Sequence, residues 1–215
     1  MNARRVLWGL CGVAGVILAG LVIWRVGLSH VTFDAGPEPT RVTRTTGSAS
    51  VGGPFQLIDQ NGQTRDQRVL QGRWSAVFFG FTHCPDICPT TLQALGAAKE
   101  ALGPQADRLQ LVFVTVDPAR DTPQALKAYL ESGAFAPGVV GLTGTEAEVR
   151  QAAAAYRAPY ARVGQGADYQ MQHSSLIYLM NPQGEFDRVL RLERPPQAVA
   201  AEIRQAMAAG NDSRS

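Results

Sequence analysis

Val77-Phe78-Phe79-Gly80-Phe81-Thr82-His83-Cys84-Pro85-Asp86-Ile87-Cys88-Pro89 is the stretch that decides the fold of this 215-residue chain. The apolar run from Trp74 to Phe81 reads as a buried strand. Thr90 to Leu102, closed by Gly103-Pro104, reads as the helix that follows it. The two cysteines fall at the junction between them. A loop that opens into a helix places both sulfurs at the positive helix end, where thiolates form readily. Two thiolates on one face point to a soft-metal site or a redox pair.

The spacing of the cysteines leans towards metal. With three residues between them, Cys84 and Cys88 share a helix face if the turn is regular, their Cβ atoms about 5–6 Å apart. A disulfide wants about 3.8 Å and would need adjustment. A thioredoxin oxidoreductase shows two intervening residues, and a thiol peroxidase a single attacking cysteine. The plainer reading is a structural disulfide in an oxidising compartment, but a loop this short constrains little chain entropy. Two thiolates and an imidazole suit copper or zinc, and structural zinc normally takes four protein ligands. Copper(I), content with two or three soft ligands, fits better.

Three histidines are candidates for the third ligand. His30 stands beside an apolar N-terminal stretch and reads as a solvated bystander. His83 adjoins Cys84, and consecutive side chains seldom converge on one ion. His173 opens the run Ser174 to Met180, which reads as a strand; at a strand end it is ordinarily a satisfied polar group rather than a ligand.

Outward from the cysteines the pattern alternates between strand and helix. Phe55 to Ile58 and the segment ending at Val69-Leu70 flank Asn61-Gly62, a hairpin signal. Leu109 to Val116 and Val139 to Leu142 read as strands. Thr122-Pro123 opens a helix to about Leu130, and Thr145-Glu146-Ala147-Glu148 is a capping box opening another to Tyr156. Ser175 to Met180 and Phe186 to Leu192 flank Asn181-Pro182-Gln183-Gly184 as a second hairpin, and Pro196 to Ala209 closes the chain as an amphipathic helix. This order predicts an α/β fold, a central mixed sheet with helices on both faces. A cysteine pair between the first core strand and its helix is the thioredoxin-like arrangement. In such folds the residues leading into the strand after the long crossover touch the cysteine loop, usually through a cis-proline. No proline lies between Tyr160 and Met180, so His173 is placed to occupy that space.

The N-terminus carries a different signal. From Val6 to Trp24 no charged side chain interrupts the run, enough at about 1.5 Å per residue to span about 30 Å of hydrocarbon. Trp8 and Trp24 sit where interfacial aromatics belong, and Arg4 and Arg5 before the run place the rest of the chain outside the cytoplasm. The run exceeds a signal-peptide core and no clear small-x-small cleavage site follows, so it reads as an uncleaved anchor. Cys11 lies within it as a small apolar residue. Expected boundaries are an anchor at 1–28, a Pro-, Gly-, Ser- and Thr-rich tether at 29–53, a folded domain at 54–210 and a tail at 211–215.

Composition limits the partners. The chain is 45% hydrophobic and 18% charged, which suits one core of ordinary size. Its formal charge of +2 owes three cations to Arg4, Arg5 and Arg25 around the apolar run. The remainder has no basic surplus to attract nucleic acid.

Taken together, these residues resemble the Sco/SenC family of copper chaperones for cytochrome c oxidase assembly. The resemblance spans roughly Phe55 to Leu192. It rests on Phe79-Gly80-Phe81-Thr82-His83-Cys84-Pro85-Asp86-Ile87-Cys88-Pro89, Val116-Asp117-Pro118-Ala119-Arg120-Asp121-Thr122-Pro123, Gly141-Leu142-Thr143-Gly144 and His173-Ser174. It implies that Cys84, Cys88 and His173 bind copper, as Cu(I) or Cu(II), on a thioredoxin-like domain. That domain would be tethered by a single-pass helix to the outer side of a bacterial-type cytoplasmic membrane. The implied partners are an upstream copper donor and the copper-bearing subunit of the oxidase. The alternative is a periplasmic thiol-disulfide oxidoreductase or peroxidase using Cys84 and Cys88, which gives His173 no necessary role. One departure stands out: the family usually has aspartate before the histidine, an outer-shell carboxylate that orients a ligating imidazole, and its replacement by Gln172 implies weaker copper binding or altered partner exchange. The Asp117 to Asp121 segment reads first as a loop in which Arg120 ties down carboxylates. The functional reading has Asp117 or Arg120 contacting a partner or tuning the thiolates. Asp86, between the cysteines, either favours the helix N-terminus or repels a second thiolate.

Overall fold

The structure, a computed structural model, describes residues 51–212. The expected anchor, the tether up to residue 50 and the end of the tail lie outside them. Among the described residues no helix is long and apolar enough to cross a membrane.

The cysteine-bearing unit forms as the sequence predicts, with one shift. Strand β3 (Trp74–Gly80) is buried along its whole length, and α1 begins at Ile87 and runs to Ala101, a turn earlier than expected. Cys84 therefore lies in the loop and Cys88 in the first turn. The two are not on one helix face. The chain returns through β4 (Leu109–Thr115), which is parallel to β3, and α2 (Pro123–Leu130) follows with Thr122 capping the Ala125 N–H. Strand β5 (Val140–Thr143) joins β4 in parallel, and α3 (Glu146–Ala155) opens with the expected capping box of Thr145 and Glu148.

Flanking strands close the sheet on both sides. Strands β1 (Gln56–Asp59) and β2 (Thr64–Asp66) form the first hairpin, whose second strand is shorter than expected because Gln67–Leu70 is a 3-10 turn. Strands β8 (Ile177–Met180) and β9 (Phe186–Leu190) form the other. The full order is β2-β1-β5-β4-β3-β8-β9, with β1 antiparallel to β5 and β8 antiparallel to β3. The closing helix α4 (Pro196–Asp212) packs on α1.

Alternation along β3 fills both faces. Phe78 meets Phe113 at 6.0 Å between ring centroids on the face that receives Cys88, while Phe79 meets Tyr156, just past α3, at 5.4 Å on the other. Gly80 follows from that packing, since a Cβ there would stand 2.8 Å from both Cys88 Sγ and the Phe113 ring. Order also begins before the expected boundary. Val51 packs against the core, and the Gly52 N–H donates to the Ala155 carbonyl at 2.9 Å.

One element is absent from the sequence reading. Strands β6 (Tyr160–Val163) and β7 (Gln170–His173) pair with each other in a separate two-stranded sheet. His173 is thus the last residue of β7 rather than the opening of the strand that follows, and Ser174 to Leu176 link it to β8.

Candidate metal centre

Three soft donors converge at the junction of β3, α1 and β7. Cys88 Sγ lies 3.5 Å from His173 Nε2, the Cys88 N–H donates to Cys84 Sγ at 3.4 Å, and all three ligand atoms fall within 4.8 Å of one another. Bonds of about 2.0 Å to nitrogen and 2.3 Å to thiolate place ligand atoms about 3.5–4 Å apart around one ion, so a small contraction accommodates it. No other trio of His, Cys, Asp or Glu side chains converges this way among the described residues. Both thiols are free.

The imidazole is held in the tautomer that ligation needs. His173 Nδ1 lies 2.9 Å from the Ser174 carbonyl, which can only accept, so Nδ1 carries the proton and Nε2 turns its lone pair to the sulfurs. This is the outer-shell support that an aspartate was expected to give, and Gln172 plays no part in it. The ring is also walled by Phe81, edge-on at 5.7 Å, and Phe78 at 6.0 Å.

The two sulfurs differ. Cys88 is fully buried, and that burial pushes its thiol well above the ordinary range, against the expectation that both thiolates form readily. Cys84 is half-exposed. Asp86 occupies the N-cap of α1 without a cap hydrogen bond and accepts from Thr90 Oγ1 instead, at 3.3 Å.

The segment from Asp117 to Asp121 braces both halves of this site. Asp121, fully buried, accepts from Thr82 N–H at 3.0 Å, Thr82 Oγ1 at 2.6 Å and Thr115 Oγ1 at 2.6 Å, which pins the chain two residues before Cys84. Asp117 accepts from Tyr169 Oη at 2.6 Å and from Arg120 Nε at 2.5 Å. The Arg120 guanidinium stacks 3.7 Å over Tyr169, at the foot of β7, and reaches Phe81 at 5.9 Å. Arg120 thereby ties down a carboxylate, as the plainer reading has it, and also links the cysteine loop to the histidine hairpin.

His83 stays out of the cluster, its Nδ1 3.0 Å from Thr82 Oγ1 and 3.8 Å from Asp121 Oδ1. His30 lies outside the described residues. Tyr169, Thr82 and the Ser174 carbonyl escaped the sequence reading. Thr82 stood inside the quoted motif, but Tyr169 lies in a polar, Gly-rich stretch with no periodicity, and a main-chain carbonyl leaves no trace in residue types.

Comparison with known proteins identifies the family. The profile of the SCO1/SenC family matches residues 43–208. The chain belongs to that family. An SCO2-like protein of Rickettsia conorii is 39% identical over 160 residues, covering 73% of this chain and 77% of the relative. The structure of Bradyrhizobium japonicum ScoI with copper bound is 42% identical, with a TM-score of 0.68, over 73% of this chain and 99% of that one. BsSco is 25% identical with a TM-score of 0.59, over 73% of this chain and 92% of that one. It is described as a member of the Sco family of cytochrome c oxidase assembly proteins, in which a disulfide switch was identified. The thioredoxin-like fold expected for this Sco-family chain is the one observed.

Proposed function

We propose that this protein is a copper chaperone which carries the ion on Cys84, Cys88 and His173 and delivers it to the binuclear copper centre of cytochrome c oxidase. The observation that carries the reading is the convergence of two sulfurs and one correctly oriented imidazole within 4.8 Å. Thiolates of the oxidase subunit replace those of the chaperone one at a time, so the ion passes without release to water. An upstream donor loads it through the half-exposed Cys84. The apolar run near the N-terminus fits a membrane anchor with the folded domain on the outer side of the cytoplasmic membrane.

Anaerobic titration of the full chain with Cu(I) tests this. One equivalent is taken up, and Cys84→Ser, Cys88→Ser and His173→Ala each weaken uptake severely; unimpaired uptake by all three variants ends the reading.

A second activity is supported by the closeness of the two thiols. Oxidation of Cys84 and Cys88 to one disulfide releases two protons and passes two electrons to a disulfide of the recipient, which leaves with two thiols. Such a reductant prepares the same oxidase site to receive metal. Its turnover survives His173→Ala, whereas copper loading does not.

A further inference from the structure

A groove of about 910 Å³ is lined by Tyr160, Ala161 and Arg162 of β6, by Tyr169 and Met171 beside and on β7, and by residues of α3. Its size falls in the range of about 300–1,000 Å³ usual for binding clefts. Three features of its walls belong together.

The first is an open strand edge. Strand β6 pairs only with β7, so its outer row of N–H and C=O groups has no strand partner among the described residues. Such an edge is a template for another extended chain.

The second is uncompensated positive charge. Of the carboxylates at the groove, Glu146 is paired with Arg150 at 2.9 Å, and Asp117 is engaged by Tyr169 and Arg120. Arg157 takes part in none of the ion pairs among the described residues. Arg162 stacks on Tyr169 at 3.7 Å and donates only to the Gly166 carbonyl. A lone arginine on a strand edge ordinarily protects it from pairing, which accounts for Arg162. It does not account for Arg157, which lies off the strand just after α3.

The third is strain and an orphaned donor. Arg157 adopts φ +52°, the only non-glycine residue at positive φ among the described residues, at a helix end where glycine is the relaxed choice. The Tyr160 hydroxyl, also at the groove, is buried without a hydrogen-bond partner. Between these polar groups the floor is small and apolar, with Ala153, Ala154, Ala158 and Pro159.

We propose that this groove binds an extended, acidic peptide segment of a partner protein, added as a third strand to the free edge of β6. Its carboxylates meet Arg157 and Arg162, its main chain completes the β6 edge and engages Tyr160, and its small apolar side chains lie on the alanine floor. Tyr160 is the register partner of His173 across the hairpin, so the docked segment sits one strand away from the metal centre. The inference uses none of the copper ligands and stands whether or not the copper reading does.

The test titrates a fluorescein-labelled octapeptide of alternating glutamate and valine into the full chain in detergent micelles, beside its glutamine–valine counterpart. The acidic peptide binds about tenfold more tightly, as two arginine–carboxylate contacts warrant, and slows amide exchange along β6. Arg157→Gly separates binding from folding, because it relaxes the left-handed backbone while deleting the cation. That variant melts at a higher temperature, takes up copper unchanged and loses most of the discrimination between the peptides. Equal affinity for the two peptides, undiminished discrimination in Arg157→Gly, or exchange protection away from β6 overturns the proposal. So does binding that emerges only when residues 29–50 are deleted, which assigns the groove to the chain's own tether.

Discussion

Cys88, His173 and Ser174 show how little of a candidate metal centre is written in side chains alone. The sulfur pair was legible because Cys84 and Cys88 share a loop at a strand–helix junction. His173 needed the fold analogy, since 85 residues separate it from Cys88 Sγ, 3.5 Å away. The group that sets its tautomer was not legible at all, being a peptide carbonyl. The Gln172→Asp substitution follows from this. If residue 172 were the outer-shell partner of the imidazole, restoring aspartate would strengthen copper binding by roughly 10–100-fold. With the Ser174 carbonyl already in place at 2.9 Å and Gln172 exposed, competition against a Cu(I) chelator detects a change far below that. A gain of the full size shows the carbonyl to be a bystander.

At the level of elements, the hairpin β6–β7 was missed for a physical reason. Both strands lie largely in solvent, so Tyr160-Ala161-Arg162-Val163 and Gln170-Met171-Gln172-His173 lack the apolar alternation that reveals a half-buried strand. The central strands were legible because burial on both faces makes them continuous apolar runs. What fastens the hairpin is Tyr169, held by Asp117 and stacked between Arg120 and Arg162. Tyr169→Phe keeps the ring and removes only the hydroxyl, leaving a buried carboxylate short of one donor, at a cost of about 1–3 kcal/mol. The loss is local. Amides of β7 exchange faster and the His173 ring resonances broaden, while protection in β3 and β4 is unchanged; an even loss of protection across all strands contradicts this role.

For the molecule as a whole, the order of strands and helices outside that hairpin followed from the sequence. The antiparallel seam between β1 and β5 did not, because nothing in either strand names its partner. The β1–β2 turn beside that seam carries a measurable acid sensitivity. Burial works against the charge on Asp59, but hydrogen bonds from Gln63 N–H, Asn61 N–H and Arg65 outweigh it and hold the carboxyl below its ordinary value. A carboxyl depressed in the folded state contributes stability that is complete above its unfolded pKa of about 3.9 and is lost as pH falls through the folded value. Asp59→Asn therefore lowers the melting temperature at pH 7, and the gap between variant and wild type narrows below about pH 4. A gap that stays constant down to pH 2 rules the linkage out.

The hydrogen bond from the Cys88 amide to Cys84 Sγ, 3.4 Å long, makes the first turn of α1 a gauge of occupancy. On the copper reading proposed above, Cu(I) bound at that sulfur gives the acceptor metal-thiolate character and the bond tightens. The amide proton of Cys88 then moves downfield in a nuclear magnetic resonance spectrum. One backbone signal thus reads cargo on and cargo off, with no dye or mutation in the way.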